Sequence, residues 1–510
     1  MTRRTPARSA RGAVALAAVL CVLATSACGT RLSDAEIGQV QAATVTVTNP
    51  ATALPGAEAG GGTAAGAGNV AGAAGSAEVV PQPGSGEAAA ASGAAGPAAV
   101  SAAGVSGGST TASVTGAKPG TSKAAAAGAA AGERCTRALE PIILGQTGVF
   151  SGLVGQSTGN QRLGMSVWSN WVNANGGIRC HPVKLYQMDD GSDPSRTAAN
   201  VNELVTTKKA IALVGVNVPI TMGAARSAAA RLGVPIVGGD AGDAAWNTDP
   251  NLFLSGGSSA AAWSGGIVEA ARETGFTKLG LIYCIEASPC QQMNQYFAQT
   301  VEAAGAQDVF RQSVSLTQSD YTAECQNAKN AGVQIMAVYV DAASIQRFVR
   351  SCKSIDYRPV METGGLAISP GVPKDPDIQA FTLYVGSPNA PYTATGTPGL
   401  DTLHTAFRTH TGADVPDAPS LIGWAAGMLF KGAIDSLDVE RVKGAVTTAM
   451  VYDGLYSLKD KTLGGLAPPL VFKRGQPSGV IPCYTYFKIT TQGIQTPGAK
   501  FRCINSWKRN

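Results

Sequence analysis

From Pro141 to Pro194 the chain reads PIILGQTGVFSGLVGQSTGNQRLGMSVWSNWVNANGGIRCHPVKLYQMDDGSDP, and that order of residue types admits few folds. Ile142, Ile143 and Leu144 form an apolar run short enough for a buried strand, which breaks into a turn rich in Gly and Ser. Leu163, Val167, Trp168, Trp171 and Val172 then recur at helical spacing until Asn175-Gly176-Gly177 ends the helix. A second strand through Val183 and Leu185 delivers Asp189-Asp190-Gly191-Ser192-Asp193-Pro194 at its carboxyl end. A strand-helix-strand unit whose polar residues gather beyond the strand ends belongs to an open α/β sheet, and ligands sit at that edge.

The alternation continues to the end of the chain, as parallel sheets require. Helices are expected at 198–205, 222–232, 261–274, 291–304, 320–331, 344–353, 401–411, 420–437 and 439–450. Strands are expected at 211–216, 234–237, 251–255, 279–283, 308–314, 335–340, 360–363, 381–385, 470–472 and 484–490, with a turn at Gly493. This length supplies two α/β lobes, with crossings near 255, 386 and 474. Lobe 1 is expected at 133–256 plus 387–473, and lobe 2 at 257–386 plus 474–510.

The first quarter is different. Residues 29–132 are largely Ala, Gly, Ser, Thr and Pro, with almost nothing large to bury, so a flexible tether is expected there. Its reach is on the order of 50–60 Å. Before it, Arg3, Arg4, Arg8 and Arg11 precede an apolar run from Ala13 to Ala24 that is too short to span a bilayer. Residues 1–28 therefore read as an export signal, and the small residues before Cys28 resemble a bacterial lipobox that would lipidate that cysteine. Thr25 stands where the motif prefers Leu.

Of the 10 cysteines, Cys21 and Cys28 belong to the leader region. The others form an even set, as expected for disulfides in an exported protein. Local geometry favours sequential neighbours: Cys135–Cys180, Cys284–Cys290, Cys325–Cys352 and Cys483–Cys503. No C-x-x-C spacing supports a zinc site. The formal charge of +5 includes four leader arginines, and no basic run alternates with aromatics, which argues against a nucleic-acid partner.

Catalytic constellations are weak. Asp189 and Asp190 are adjacent on a strand and point to opposite faces, which suits turn and cap formation better than paired catalysis. Gly152, Gly155 and Gly159 lack the spacing of a phosphate loop, and Ser151 lacks a G-x-S-x-G frame. His404 and His410 do not share a helical face. Neither a catalytic residue nor a metal or cofactor is expected. Tyr339 and Asp341, by contrast, end a strand at the expected cleft and point the same way.

Taken together, the chain resembles the type I periplasmic binding proteins, specifically the branched-chain amino-acid (leucine/isoleucine/valine) substrate-binding family of ABC transporters. Gly148-Val149-Phe150-Ser151-Gly152, the Asn173-x-x-Gly-Gly-Ile178 helix end and Asp189 to Pro194 carry the resemblance. Val214-Gly215 and Gly233-Val234-Pro235-Ile236 fall at the family's spacing. It implies two Rossmann-like lobes with parallel-rich central sheets, joined by a three-strand hinge and closing over a solute. By position, first-lobe contacts become Gln156, Ser157, Asn217, Thr221, Asp240, Ala241 and Asp243, and second-lobe contacts Glu286, Ser288, Tyr339, Asp341 and Glu362.

Departures from the family pattern bear on the ligand. Pro219 stands where an amino-acid binder places a Ser hydroxyl, and Asp240-Ala241-Gly242-Asp243 replaces a Gly-Ala-Thr turn. Ser157 and Ser288 occupy positions that often carry aromatics. An amino-acid-like, amide or cationic solute is therefore expected, facing Asp240, Asp243, Glu286, Asp341 and Glu362. The implied protein is a monomer on the outer face of the cytoplasmic membrane, held by a lipid anchor and feeding an ABC permease. A sensor of the same fold is the alternative, and an exported hydrolase a more distant one.

Overall fold

The computed structural model describes residues 135, 137–239 and 241–507. The expected signal peptide, the Cys28 lipidation site, the tether and Asp240 lie outside the described residues.

Strand β1 (Ile142–Gly148) pairs in parallel with β2 (Val183–Asp189) and β3 (Ala212–Val216). Strands β4 (Ile236–Gly239) and β5 (Leu252–Phe253) extend the sheet in the order β2-β1-β3-β4-β5. Every residue of β3 and β4 is buried, the continuous apolar pattern of strands covered on both faces. Helices α1 (Asn160–Ala174), α2 (Pro194–Asn202) and α3 (Met222–Leu232) make the crossovers. Asp193 caps α2 by accepting from Arg196 N at 2.8 Å, with Pro194 as its first residue.

The second sheet begins with α4 (Ser259–Thr274), β6 (Lys278–Cys284), α5 (Ser288–Ala304) and β7 (Gln307–Val314). It continues through α6 (Thr322–Asn330), β8 (Ile335–Tyr339), α7 (Ala342–Ser354), β9 (Val360–Gly364) and β10 (Leu383–Ser387). The chain then returns to the first sheet with α8 (Pro398–Thr411), α9 (Ala418–Asp435) and α10 (Thr448–Ser457), α9 packing on α1, β3 and β4. Finally β11 (Cys483–Thr490) and β12 (Gly493–Gln495) rejoin the second sheet, whose order is β12-β11-β10-β9-β8-β6-β7. Its pairings are parallel except those that β11 makes with β10 and β12, so in this order β11 alone runs in the opposite direction. The fold is thus two α/β lobes with parallel-rich sheets.

Three segments cross between the lobes side by side. Gly257 N donates to Pro388 O at 2.8 Å, and Ser258 N to Ile481 O at 2.9 Å. Asn389 Nδ2 reaches Ser255 O at 2.8 Å and Leu466 O at 3.2 Å. Disulfides join Cys135–Cys180, Cys284–Cys290, Cys325–Cys352 and Cys483–Cys503. No helix among the described residues is long and apolar enough to cross a membrane.

Some local expectations need correction. Leu163, counted with the apolar face of α1, is 40% exposed, while Trp168 is fully buried. The helix expected at 439–450 is a 3-10 turn at Val439–Val442 followed by α10, because Gly444 interrupts it and Thr447 caps a new start. At 470–472 only Leu470 pairs, with Lys461, since the two prolines before it cannot donate to a ladder.

Glycines let α1 and α9 cross closely. A Cβ on Gly164 would lie 1.9 Å from Ser420 O, and one on Gly427 would lie 2.3 Å from the Trp168 ring. Gly164→Ala should lower the melting temperature by roughly 3–10 °C, because a backbone carbonyl cannot step aside locally. Gly223→Ala in α3, where a Cβ meets nothing within 4 Å, should leave it unchanged or raise it slightly. Thermal unfolding of the two variants followed by circular dichroism checks both.

Candidate functional site

The loops that follow the carboxyl ends of both sheets face one another across a single cavity. It offers about 80 Å³ to the centre of a water-sized sphere, where one water needs about 10–15 Å³. Lobe 1 contributes Val154, Ser157, Thr158 and Pro219. Lobe 2 supplies Trp263 from α4, Leu316 after β7, and Tyr339, Val340 and Asp341 at the end of β8. Thr363, Gly364 and Ala367 come from the end of β9, while Ala287, Pro289 and the Cys284–Cys290 disulfide complete the wall. Most of this surface is apolar or aromatic; Ser157, Thr158 and Thr363 are among its residues, the Thr158 hydroxyl donating to backbone carbonyls and that of Thr363 to Val338 O at 2.8 Å.

Trp263 stacks on Tyr339 with ring centroids 5.6 Å apart and planes 26° apart. The Tyr339 hydroxyl donates to Glu362 Oε2 at 2.5 Å, and Gly386 N approaches the other oxygen at 3.4 Å. Glu362 is completely buried, and that burial pushes its carboxyl well above the usual carboxylate range despite the bonds from Tyr339 and Gly386. Burial, reinforced by Glu362, likewise raises the Tyr339 hydroxyl.

Two hydrogen-bonded contacts hold the lobes together beside the cavity. Ala342 N, at the start of α7, donates to Ser157 Oγ at 2.9 Å. Ser288 Oγ donates to Asp243 Oδ2 at 2.5 Å and approaches Pro219 O at 3.3 Å. These serines, expected to touch the solute, bond across the cleft.

The acidic residues have other partners. Asp341 caps α7, accepting from Ala343 N at 3.1 Å, Ser344 N at 3.2 Å and the Ser344 hydroxyl. Glu286 Oε1 accepts from Ser315 Oγ at 2.6 Å and Leu316 N at 2.9 Å, and Asp243 Oδ1 accepts from Ala245 N at 2.8 Å. Of the expected contacts among the described residues, only Ser157, Tyr339 and Asp341 line the cavity. Glu362 lies behind Tyr339. Thr221 is buried in a network with Asp190 at 2.9 Å and Thr197 at 2.8 Å, which ties α2 to the loop before α3. Gln156 is exposed, while Ala241 and Asn217 are buried off the cavity wall.

Asp189 gathers Phe150 N at 2.8 Å, Ser151 N at 3.3 Å and the Ser151 hydroxyl, and so fixes the first loop. His181 and His404 are buried and bonded to backbone carbonyls away from the cavity. Among the described residues no group of His, Cys, Asp and Glu could hold a metal.

Trp263 is the largest of several wall residues that the expected contacts did not include; Val154, Thr158, Leu316 and Ala367 are others. It stands alone among small residues in AAAWSGG, just after the first crossing, and that isolation was its only signal.

A buried carboxyl with a raised folded-state pKa makes the native state retain its proton while the unfolded chain releases it. Stability attributable to Glu362 therefore falls as pH rises from about 4.3, the unfolded value, towards the folded one. Glu362→Gln should remove this slope, changing stability relative to the natural chain by at most about 1.4 kcal/mol per pH unit. Urea denaturation at pH 4, 5.5 and 7 should show the variant gaining on the natural chain as pH rises. Parallel curves would assign the pH dependence elsewhere.

Comparison with known proteins agrees with this architecture. An amino acid binding protein of Pseudomonas aeruginosa is 38% identical over 81 residues, which are 16% of this chain and 21% of that relative. A possible leucine/isoleucine/valine-binding protein from Rhodopirellula baltica superposes with a TM-score of 0.61 at 16% identity, covering 71% of this chain and 97% of that structure. A fatty acid ABC transporter substrate-binding protein from Thermomonospora curvata gives a TM-score of 0.59 at 15% identity, covering 73% and 95%. Residues 141–493 match the periplasmic binding protein family, and this chain belongs to it.

Proposed function

We propose that this is an exported solute-binding protein that captures a small, apolar-bodied organic solute between its lobes and presents it to an ABC permease. The observation that carries the reading is the interlobe cavity itself, walled by the Trp263–Tyr339 stack and flanked by the two interlobe serine contacts. Concave, mostly apolar sites with a few placed polar groups are where small ligands bind, and a cleft between hinged lobes couples binding to closure. Solute contacts are assigned to Trp263, Leu316, Tyr339 and Thr363 together with Ser157 and Asp341. Asp243 and Ser288 act as a latch.

The apolar wall favours a different ligand from the cation or amino acid expected from the acidic residues. Asp341, Asp243 and Glu286 already accept from protein donors, and burial disfavours ionisation of Glu362. The substrate-binding protein from Thermomonospora curvata is described as one for fatty acid, so an apolar ligand is compatible with the fold. Cys28 on its tether is assigned as the lipid anchor, which would keep a monomeric receptor beside its permease.

A solute panel tests this on the full-length protein. Benzyl alcohol, benzamide, hexanol and hexanoate represent apolar bodies, with leucine and spermidine as the zwitterion and the cation. A true ligand at 100 times its dissociation constant should stabilise by about 2.7 kcal/mol. At least one apolar compound should raise the melting temperature. Stabilisation by leucine or spermidine alone would overturn the assignment.

A further inference from the structure

We propose that lobe 1 carries a second binding site, between α1, α8, α9 and the loop at 460–465, for an organic carboxylate with an apolar body. The site goes beyond the solute-binding reading above and does not depend on it.

This pocket shares no lining residue with the interlobe cavity. It offers about 190 Å³ to the centre of a water-sized sphere, against about 80 Å³ between the lobes. Trp171 of α1, Pro398 of α8, Met428 of α9 and Leu463 supply apolar wall. Trp171 is only partly buried, and its ring centroid lies 5.3 Å from that of Trp424, so an aromatic ring is held beside the open space.

Charge on the wall is unbalanced. Lys431, Asp435 and Lys461 are its charged groups. Lys431 Nζ lies 2.5 Å from Asp435 Oδ2, and Arg179 Nε approaches the other oxygen at 3.9 Å, so the acid is already offset. The Lys461 ammonium has no hydrogen-bond or ion-pair partner among the described residues. The lysine is nonetheless placed. Its backbone exchanges hydrogen bonds with Leu470 at 3.1 and 3.0 Å. Its chain lies along α9, where a Cβ on Gly432 would come within 3.1 Å of Cε and 3.7 Å of Nζ. A positioned ammonium without a counter-ion favours a carboxylate, and Trp171, Met428 and Leu463 suit the apolar remainder.

The backbone of the loop agrees. Asp460 and Leu463 have φ of 47° and 53°, and Gly464 and Gly465 follow Leu463 at 71° and 94°. Residues with side chains seldom adopt that region, and such conformations gather at ligand sites. Gly399 N donates to Gly464 O at 2.9 Å, which ties the loop to the start of α8.

Calorimetry on the full-length protein at pH 7 tests the site with 2-naphthoate and its neutral twin 2-naphthamide. Naphthoate is expected to bind at least fivefold more tightly than the amide. Lys461→Met, which keeps the chain and loses the charge, should weaken naphthoate at least fivefold and leave the amide within twofold. No binding of naphthoate, equal binding of the two compounds, or a smaller loss in the variant would overturn the proposal. Should the variant fail to fold by circular dichroism, acetylation of the unaltered chain decides. Peptide mapping after acetic anhydride should show Lys461 modified at least fivefold more slowly with naphthoate bound, and an unchanged rate would overturn the site. Any compound of the interlobe panel that stabilises the natural chain should stabilise Lys461→Met equally, so the two sites succeed or fail separately.

Discussion

Two parallel sheets can present their loops to one shared cavity only if the chain passes between them without pushing them apart. The crossing at Gly256-Gly257 meets that constraint. A Cβ on Gly257 would lie 2.1 Å from Cys483 O, and one on Gly256 would lie 2.7 Å from Pro388 O, so the three crossing segments touch backbone to backbone. Asn389 and Ser258 then satisfy polar groups that such close contact would otherwise strand: Asn389 donates to Ser255 and Leu466, and Ser258 receives Ile481 N at 2.9 Å. The joint is held by backbone contacts and hydrogen bonds among the three crossing segments. The geometry of the cavity depends on that joint.

Beyond the joint, the carboxylates act mainly as scaffold. Asp189 fixes the first loop, Asp190 links α2 to Thr221, Asp193 caps α2, Asp341 caps α7, and Glu286 holds the loop after β7. Loops at the ends of parallel strands leave backbone N–H groups unpaired by any neighbouring strand, and short acidic side chains are the natural acceptors. This is why polar residues gather at the strand ends even where the cavity is apolar. Their concentration marks where a site is built and says little about the charge of what it binds.

The same distinction explains what could be read from the sequence. Element order and lobe number follow from local periodicity, and sequential cysteine pairs follow from neighbouring elements, so both were legible. Ser157, Tyr339 and Asp341, expected by analogy with the family's loops, line the cavity because they lie at or just after strand ends at its edge. Trp263 was not expected, because its role depends on Gly364 and Gly386, about 100 residues away, leaving room for an indole. Glu362 was placed at the right strand end, but only the tertiary contact with Tyr339 reveals that it lies behind the wall. Leu163 misled for a simpler reason: helical spacing defines a face, and Leu163 sits at its solvent margin.

The two lobes contribute unequally to the cavity, and that asymmetry bears on how closure would work. Lobe 1 supplies only Val154, Ser157, Thr158 and Pro219, whereas the stacked aromatics, the disulfide and the remaining wall belong to lobe 2. The Cys284–Cys290 link restrains the short loop carrying Ser288, and the Glu362–Tyr339–Trp263 series restrains the aromatic floor, so the lobe 2 surface is organised without help from lobe 1. Preorganisation of one face lowers the ordering cost of first contact. Lobe 1 then adds little apolar wall but supplies partners for the Ala342 N–H and the Ser288 hydroxyl. On the solute-binding reading, lobe 2 would set which molecule is held, and lobe 1 would set how firmly the closed state persists.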